Sequence, residues 1–288
     1  NVNTNQMSKG LGKAVLKELG ISEKDIDRIK DVPYQELYNA GQRAMAASIG
    51  TRRPGTPMMW GFGPTPDGEV VLQQPFQPGF ADISSNVPLL IGTTFNELQR
   101  LNYNRNITLE QARTELQRTF ADETDAYIDA FAEAYPDYTP QDLLSIDWLF
   151  RPKTIITADY VAKSRKAKTY TYMFTWRSPI NKGSVHGNEL NFCFNTLERA
   201  GNELPQPTEQ DYELADIMSS VWAQFAKTGN PNIKELPKWK AYTAKNGEMM
   251  IFDYNCEIRN NPDRKLEEII DRHCFKQLDE FRKKQAGK

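Results

Sequence analysis

An α/β fold built on a mainly parallel sheet is what this sequence predicts, and three observations carry the prediction. Thr169–Trp176 and Met249–Asp253 are rich in β-branched, aromatic or large apolar residues, and they alternate with longer segments whose apolar residues recur at helical spacing. Val87-Pro-Leu-Leu-Ile-Gly92 is continuously apolar, as a strand covered on both faces by helices must be. No repeat, low-complexity tract or linker interrupts the 288 residues, of which 39% are hydrophobic, enough for one large core or two smaller ones.

From the start, Met7, Leu11, Ala14, Val15 and Leu19 share one helical face, and Gly20 follows as a C-terminal cap. Ser22-Glu-Lys-Asp25 reads as a capping box opening a short second helix. A third begins at Val32-Pro-Tyr34 and runs to Ser48. The stretch from Gly50 to Pro66 holds Pro54, Pro57 and Pro64 without periodicity, so a long loop is expected there, either a pocket wall or mobile. Asp67-Gly68 signals a tight turn, with Glu69–Leu72 as the strand beyond it.

After the apolar run ending at Gly92 comes Thr93-Thr-Phe-Asn-Glu97. From about residue 103 to 150 the chain makes a helical excursion between sheet strands. Leu109, Ala112, Leu116 and Phe120 form its first stripe, and Tyr127, Phe131, Ala134 and Tyr135 its second. Lys153–Ala167 is the helix leading into the strand Thr169–Trp176. Asp211–Thr228 is the clearest helix, with Thr208 to cap it and Gly229 and Pro231 to stop it. Its Met and aromatic stripe at i, i+3, i+4, i+7, i+8 and i+11 reads as core packing. Met249–Asp253 is expected to be the last strand, before a C-terminal helix carrying Leu266, Ile269, Ile270, His273, Phe275, Leu278 and Phe281.

Several classes of function are disfavoured by composition. The net charge is −2 with acids and bases interspersed, so nothing points to nucleic acid. No apolar run approaches the ~20 residues that cross a bilayer, and no signal peptide follows Asn1. The front of a longer polypeptide is therefore expected to have been removed. Cys193, Cys256 and Cys274 form neither a disulfide framework nor a zinc pattern. Cys256 and Cys274 could bridge in an oxidising compartment, but free buried thiols are the expectation, which leaves the location open, with periplasmic or secreted slightly favoured over cytoplasmic. No metal or other cofactor is implied.

Two residues carry the chemistry. His186, one of only two histidines, sits in a polar glycine-bearing loop after the strand Thr169–Trp176. Glu97 lies just beyond the strand that ends at Gly92. Ligands gather outside the carboxyl ends of parallel strands, and these two strands, separated by one helical excursion, can be sheet neighbours. A carboxylate that fixes an imidazole's tautomer and stabilises its protonated form is two thirds of a hydrolytic triad. The chain order acid then histidine is that of α/β-hydrolases. Against this stands the plainer reading of a surface-loop histidine and a solvated glutamate. No Gly-x-Ser-x-Gly occurs, and Ser184 is too close to His186 to act as a nucleophile on an elbow. His273 reads as a packed or half-exposed helical residue.

The sequence resembles the C-terminal half of the type-B carboxylesterases, the family of the cholinesterases and bacterial para-nitrobenzyl esterases. Val87-Pro-Leu-Leu-Ile-Gly-Thr-Thr-Phe-Asn-Glu97 is similar to the family's strand-plus-acid motif. Val185-His-Gly-Asn-Glu-Leu-Asn-Phe192 is similar to its histidine motif. Trp222-Ala-Gln-Phe-Ala-Lys-Thr-Gly-Asn-Pro-Asn232, followed by Leu236-Pro-Lys-Trp239, resembles its late helix signature, and Asp67-Gly68 with Pro75 fits the segment ahead of the acid strand. The match runs from about Gly12 to Pro262 in consistent order.

The resemblance implies an α/β-hydrolase fold, of which residues 1–288 are the C-terminal portion. It implies Glu97 as triad acid and His186 as general base, with Glu189 binding loop backbone. Asn96 and Leu98 depart from the family's usual Asp and Gly. The family's first half, with its oxyanion loop and serine elbow, is missing from these residues. The expected function is carboxylic-ester hydrolysis by a Ser-His-Glu triad, this chain supplying acid and histidine and being inactive alone. The alternative is a non-catalytic cholinesterase-like interaction module. The expected partners are a small-molecule ester and the missing half or a second copy. Trp60, Phe62, Phe95 and Phe194 are candidate substrate-pocket walls, with core packing the competing role for each.

Overall fold

The computed structural model describes residues 3–50, 62–73, 82–98, 106–164 and 167–275. The chain divides into two compact units, the second beginning at Asp82, a division that no linker in the sequence marks.

In the first unit, α1 (Asn5–Glu18) starts where the Thr4 side chain accepts the Met7 amide, and Gly20 takes a φ of +65° beyond its end. α2 (Tyr34–Gly50) sets Ala40 and Ala44 against Leu11 and Val15, small residues that let the helices approach. Between them Glu23–Asp31 winds as a 3-10 helix. Its Ser22 does not cap the backbone as the sequence suggests, because the hydroxyl donates to Asp25 Oδ2 at 2.6 Å instead.

The expected strand Glu69–Leu72 does not form. Asp67 Oδ1 collects the amides of Glu69, Val70 and Val71, each at 2.9 Å, and this bends the chain where a strand would run straight. Val70 is left 86% exposed. Phe62 is also largely exposed, whereas Trp60 and Pro75 lie outside the described residues.

The second unit is a four-stranded sheet in the order β1 (Leu89–Thr94), β2 (Thr169–Phe174), β3 (Glu248–Phe252), β4 (Glu257–Asn260). The first three strands are parallel and β4 is antiparallel to β3. The sequence reading missed β4, whose Glu-Ile-Arg-Asn is short and polar; its pairing to β3, not its own pattern, makes it a strand.

Period-two alternation sends side chains to two helical layers. Met173, Met249 and Ile251 face α3 (Leu109–Phe120), α4 (Thr124–Ala134) and α9 (Arg264–Ile270). Tyr170, Phe174, Met250 and Phe252 face α7 (Leu190–Cys193) and α8 (Glu209–Thr228). The helical excursion therefore covers one face of the sheet, completed by α5 (Asp142–Ser145) and α6 (Arg151–Ser164).

Thr208 caps α8 as the sequence predicts, whereas the sequence reading did not single out Thr108 as the cap of α3. Thr108 with Gln111, and Thr208 with Asp211, form complete capping boxes, and Gly229 ends α8 in the left-handed conformation. In α8, Leu214, Met218 and Val221 are buried, as the stripe requires. At Gly92 a Cβ would lie 2.4 Å from the Tyr172 ring, so the β1–β2 approach needs glycine there.

Candidate active site

Phe95 continues the β1–β2 ladder, its amide donating to the Phe174 carbonyl at 2.9 Å. The next residues form a tight loop closed on itself. The Glu97 amide donates to Thr94 Oγ1 at 3.0 Å, and Glu97 Oε1 accepts the Thr94 amide at 2.7 Å. Closing that loop puts Glu97 at a φ of +40°, a conformation non-glycine residues rarely adopt.

The histidine loop is laid parallel to the acid loop as a short continuation of the sheet. The Asn96 amide donates to the Ser184 carbonyl at 2.9 Å and the His186 amide to the Glu97 carbonyl at 3.0 Å, so Glu97 and Val185 form a parallel bridge. The result is a contact of 2.5 Å between His186 Nδ1 and Glu97 Oε2. Glu97 is 6% exposed, whereas the His186 side chain is 61% exposed. A buried carboxylate thus holds one edge of an accessible imidazole. Among the described residues nothing is bonded to the ring's other nitrogen, Nε2.

Further bonds keep the two loops in place. Asn96 Nδ2 donates to the Ser145 carbonyl at 2.9 Å, tying the acid loop to the end of α5. Asn188 Oδ1 accepts the Val185 amide at 2.7 Å while its Nδ2 bonds Glu203. Ser178 Oγ in turn donates to the Glu203 carbonyl at 2.7 Å. Ser184 is fully buried and its hydroxyl donates to the Phe174 carbonyl at 2.8 Å, which commits it to structure.

Glu189 lies behind the histidine loop. Burial, helped by the Glu97 charge, pushes its carboxyl above the usual range, opposed by its own amide, by His186 and by the Gly187 amide. Among the described residues its Oε2, sealed from solvent, has no hydrogen-bond partner. The same environment, burial first and Glu189 second, pushes the Cys193 thiol up to about 12. Cys193 and Cys256 are both free.

Of the candidate pocket walls, Phe194 is 72% exposed and Phe95 only 4%. The Phe95 ring packs edge-on to Phe131 and Tyr135, at 6.4 and 4.9 Å between centroids, and helps line a cavity of about 200 Å³ with Arg177 and Arg259. The sequence reading did not single out Phe150, whose ring stacks on His186 at 5.8 Å and 12°. Nor did it single out Asn188 or Thr94. Polar and aromatic residues that support a loop from another element carry no local spacing that would reveal them.

The second histidine also meets a glutamate. His273 Nε2 lies 2.6 Å from Glu123 Oε2, and Arg272 shares the carboxylate, which these partners hold down at about 2. Among the described residues no group of His, Cys, Asp and Glu could hold a metal ion, and no helix is long and apolar enough to cross a membrane.

Comparison with known proteins places this geometry in context. The sequence matches the carboxylesterase family over residues 1–269. It is 28% identical over 276 residues to the para-nitrobenzyl esterase of Bacillus subtilis, covering 90% of this chain and 52% of that protein. It is 31% identical over 127 residues to carboxylesterase 1E of Rattus norvegicus, covering 40% of this chain and 21% of that protein. Among solved structures, an esterase from anaerobic Clostridium hathewayi, which can hydrolyze aliphatic aromatic polyesters, superposes with a TM-score of 0.78. It is 29% identical, over 91% of this chain and 52% of that one. The fold is accordingly the α/β-hydrolase fold. The chain spans about half the length of the bacterial relatives it matches.

Proposed function

The chain belongs to the carboxylesterase family, and on that premise we propose that it supplies the acid and the base of a Ser-His-Glu triad that hydrolyses carboxylic esters. The observation that carries the reading is the 2.5 Å contact between Glu97 Oε2 and His186 Nδ1 at the carboxyl ends of adjacent parallel strands. These residues contain no Gly-x-Ser-x-Gly, so the nucleophilic serine comes from outside the 288 residues.

In the assembled site the serine hydroxyl approaches His186 at Nε2. As its oxygen attacks the ester carbonyl, Nε2 takes the proton and the ring becomes an imidazolium, stabilised by the Glu97 carboxylate at Nδ1. Collapse of the tetrahedral intermediate expels the alcohol, which receives that proton from Nε2. Water then repeats the sequence on the acyl-enzyme, releasing the acid and freeing the serine. Glu97 is buried and doubly bonded, so it keeps the imidazole in the tautomer with the proton on Nδ1 and leaves Nε2 ready to accept. Exposed Phe194 is the better placed of the two phenylalanines to meet substrate, and Phe95 supports the acid loop from beneath.

The test is turnover of a p-nitrophenyl ester. The chain alone is expected to give none, and the chain joined to the serine-bearing half is expected to give turnover that His186→Ala abolishes. Equal turnover in the His186→Ala protein would refute the triad. Absence of turnover from the joined protein would favour a non-catalytic interaction module.

A further inference from the structure

One hydrogen bond cannot fix the direction of an imidazole. The contact with Glu97 sets a distance and one edge of the His186 ring, but the ring can still tilt about the line joining Nδ1 to Oε2. Its 61% exposure means that solvent, which offers no restraint, occupies much of its surroundings. A reacting proton must be met within a few tenths of an ångström, so a tilting base loses rate even when its partner is intact.

The structure supplies a second restraint. The Phe150 ring lies nearly parallel to the imidazole, 12° between planes and 5.8 Å between centroids, the offset-stacked arrangement that aromatic rings prefer. Phe150 is itself held to the acid loop. The Asp147 carboxylate accepts the amides of Leu149, Phe150 and Arg151, at 2.8 Å, 3.0–3.1 Å and 2.7 Å. The Asp147 amide donates to the Phe95 carbonyl at 3.0 Å, and Asn96 Nδ2 reaches the Ser145 carbonyl. Residues 145–151 are therefore tied at two points to the same loop that carries Glu97. Hydrogen-bond partner and stacking partner share one frame.

We propose that Phe150 is a positioning residue for His186: its ring stops the imidazole from tilting about the Glu97 hydrogen bond and so fixes where Nε2 points. The proposal rests on the triad reading for its catalytic meaning, but the restraint itself exists in the chain alone. Phe150 touches no reacting atom and acts only through His186.

The experiment has two arms. In the first, the 288-residue chain is labelled with 15N-histidine, and its two imidazoles are followed by long-range NMR correlation in Phe150→Leu and Phe150→Tyr. Leucine keeps apolar bulk and removes the aromatic face. The His186 ring signals are expected to move downfield and broaden in Phe150→Leu and to return in Phe150→Tyr. His273, which lies against Glu123 and Phe120, should stay in place as an internal control. If His273 moves as well, the variant has misfolded, and Phe150→Met is read in its place. Unchanged His186 signals in a folded variant overturn the restraint.

In the second arm, the chain joined to the serine-bearing half is assayed on p-nitrophenyl esters. Phe150→Leu is expected to lower kcat about tenfold with KM within about twofold, and Phe150→Tyr to recover it. A moved imidazole with unchanged kcat overturns the positioning role. If the parent protein hydrolyses no ester, the triad reading fails, while the first arm still decides whether Phe150 restrains His186.

Discussion

Asn96 grips Ser184 through both backbone and side chain: its amide donates to the Ser184 carbonyl at 2.9 Å, and its Oδ1 accepts the Ser184 amide at 2.8 Å. The side-chain nitrogen is then free to donate to the Ser145 carbonyl. Type-B carboxylesterases more often carry Asp here, and an ionised Asp has no proton to give that carbonyl. With Asn96 only 1% exposed, Asn96→Asp would bury a charge facing an acceptor. We expect it to cost about 3 kcal/mol and to lower Tm by roughly 5–10 °C. A thermal melt unchanged within about 1 °C would show that the loops do not depend on this bond.

Glu97→Gln tests the acid without emptying the site. The amide still fits beside Thr94, but it can present an N–H to His186 and favour the wrong tautomer. In the joined esterase kcat should fall by about 10³–10⁴ while KM changes little, as when a carboxylate that orients a catalytic histidine is amidated. Steady-state kinetics on one ester suffice. A loss of under tenfold would mean that another group orients the imidazole.

What could be read in the sequence was local, and what could not was relational. The stripe on α8, the capping Thr208, and the apolar run before Gly92 each carry their reason in neighbouring residues. Glu97 and His186 were legible because each lies in the loop that follows a strand, and parallel strands gather such residues at one edge. By contrast, β4 exists because β3 pairs with it, and Glu69–Leu72 fails to be a strand because Asp67 captures its amides. Phe150 comes to His186 by way of Asp147, and His273 meets Glu123 across 150 positions. Such partners are fixed by tertiary packing, which no periodicity announces.

Glu267, on α9, is a largely buried carboxyl whose environment favours its neutral form. Among the described residues Glu267 Oε1, sealed from solvent, has no hydrogen-bond partner, and Arg151, 3.7 Å away, is bonded to Asp263. Burial first, then the Asp263 carboxylate, with a smaller push from Asp159, raise the Glu267 carboxyl from an ordinary 4.5 to about 8, against the pull of Arg151 and Arg264. Below about 4.5 the group is neutral whether the chain is folded or not. Between about 4.5 and 8 only the unfolded chain releases the proton, so stability falls as pH rises across that window. The Glu267 side chain is 20% exposed, which tempers the effect to about 2–3 kcal/mol. Glu267→Gln should therefore raise Tm more at pH 9 than at pH 5. An equal change at both pH values would refute the buried-proton account.

Arg151 and Asp263 form the most deeply buried ion pair among the described residues, with side chains 2% and 3% exposed and bonds of 2.6 and 2.7 Å. Tyr135 donates to the same carboxylate at 2.8 Å. Although burial works against it, the guanidinium holds the Asp263 carboxyl below its usual range. Such a group is dear to break and cheap to replace, because the large term is desolvation of a charge left alone. Arg151→Met by itself should cost about 3–5 kcal/mol in urea unfolding, since Asp263 would remain buried without its cation. Removing the other polar groups together, as Arg151→Met, Asp263→Leu and Tyr135→Phe, should bring stability back to within about 1–2 kcal/mol of the parent. If the triple variant is as unstable as the single one, the cluster stabilises the fold through its own attraction, and desolvation is not the governing term. Recovery would assign the cluster to fixing how α4, α6 and α9 register on the sheet, a role read in the cooperativity of the transition instead of its midpoint.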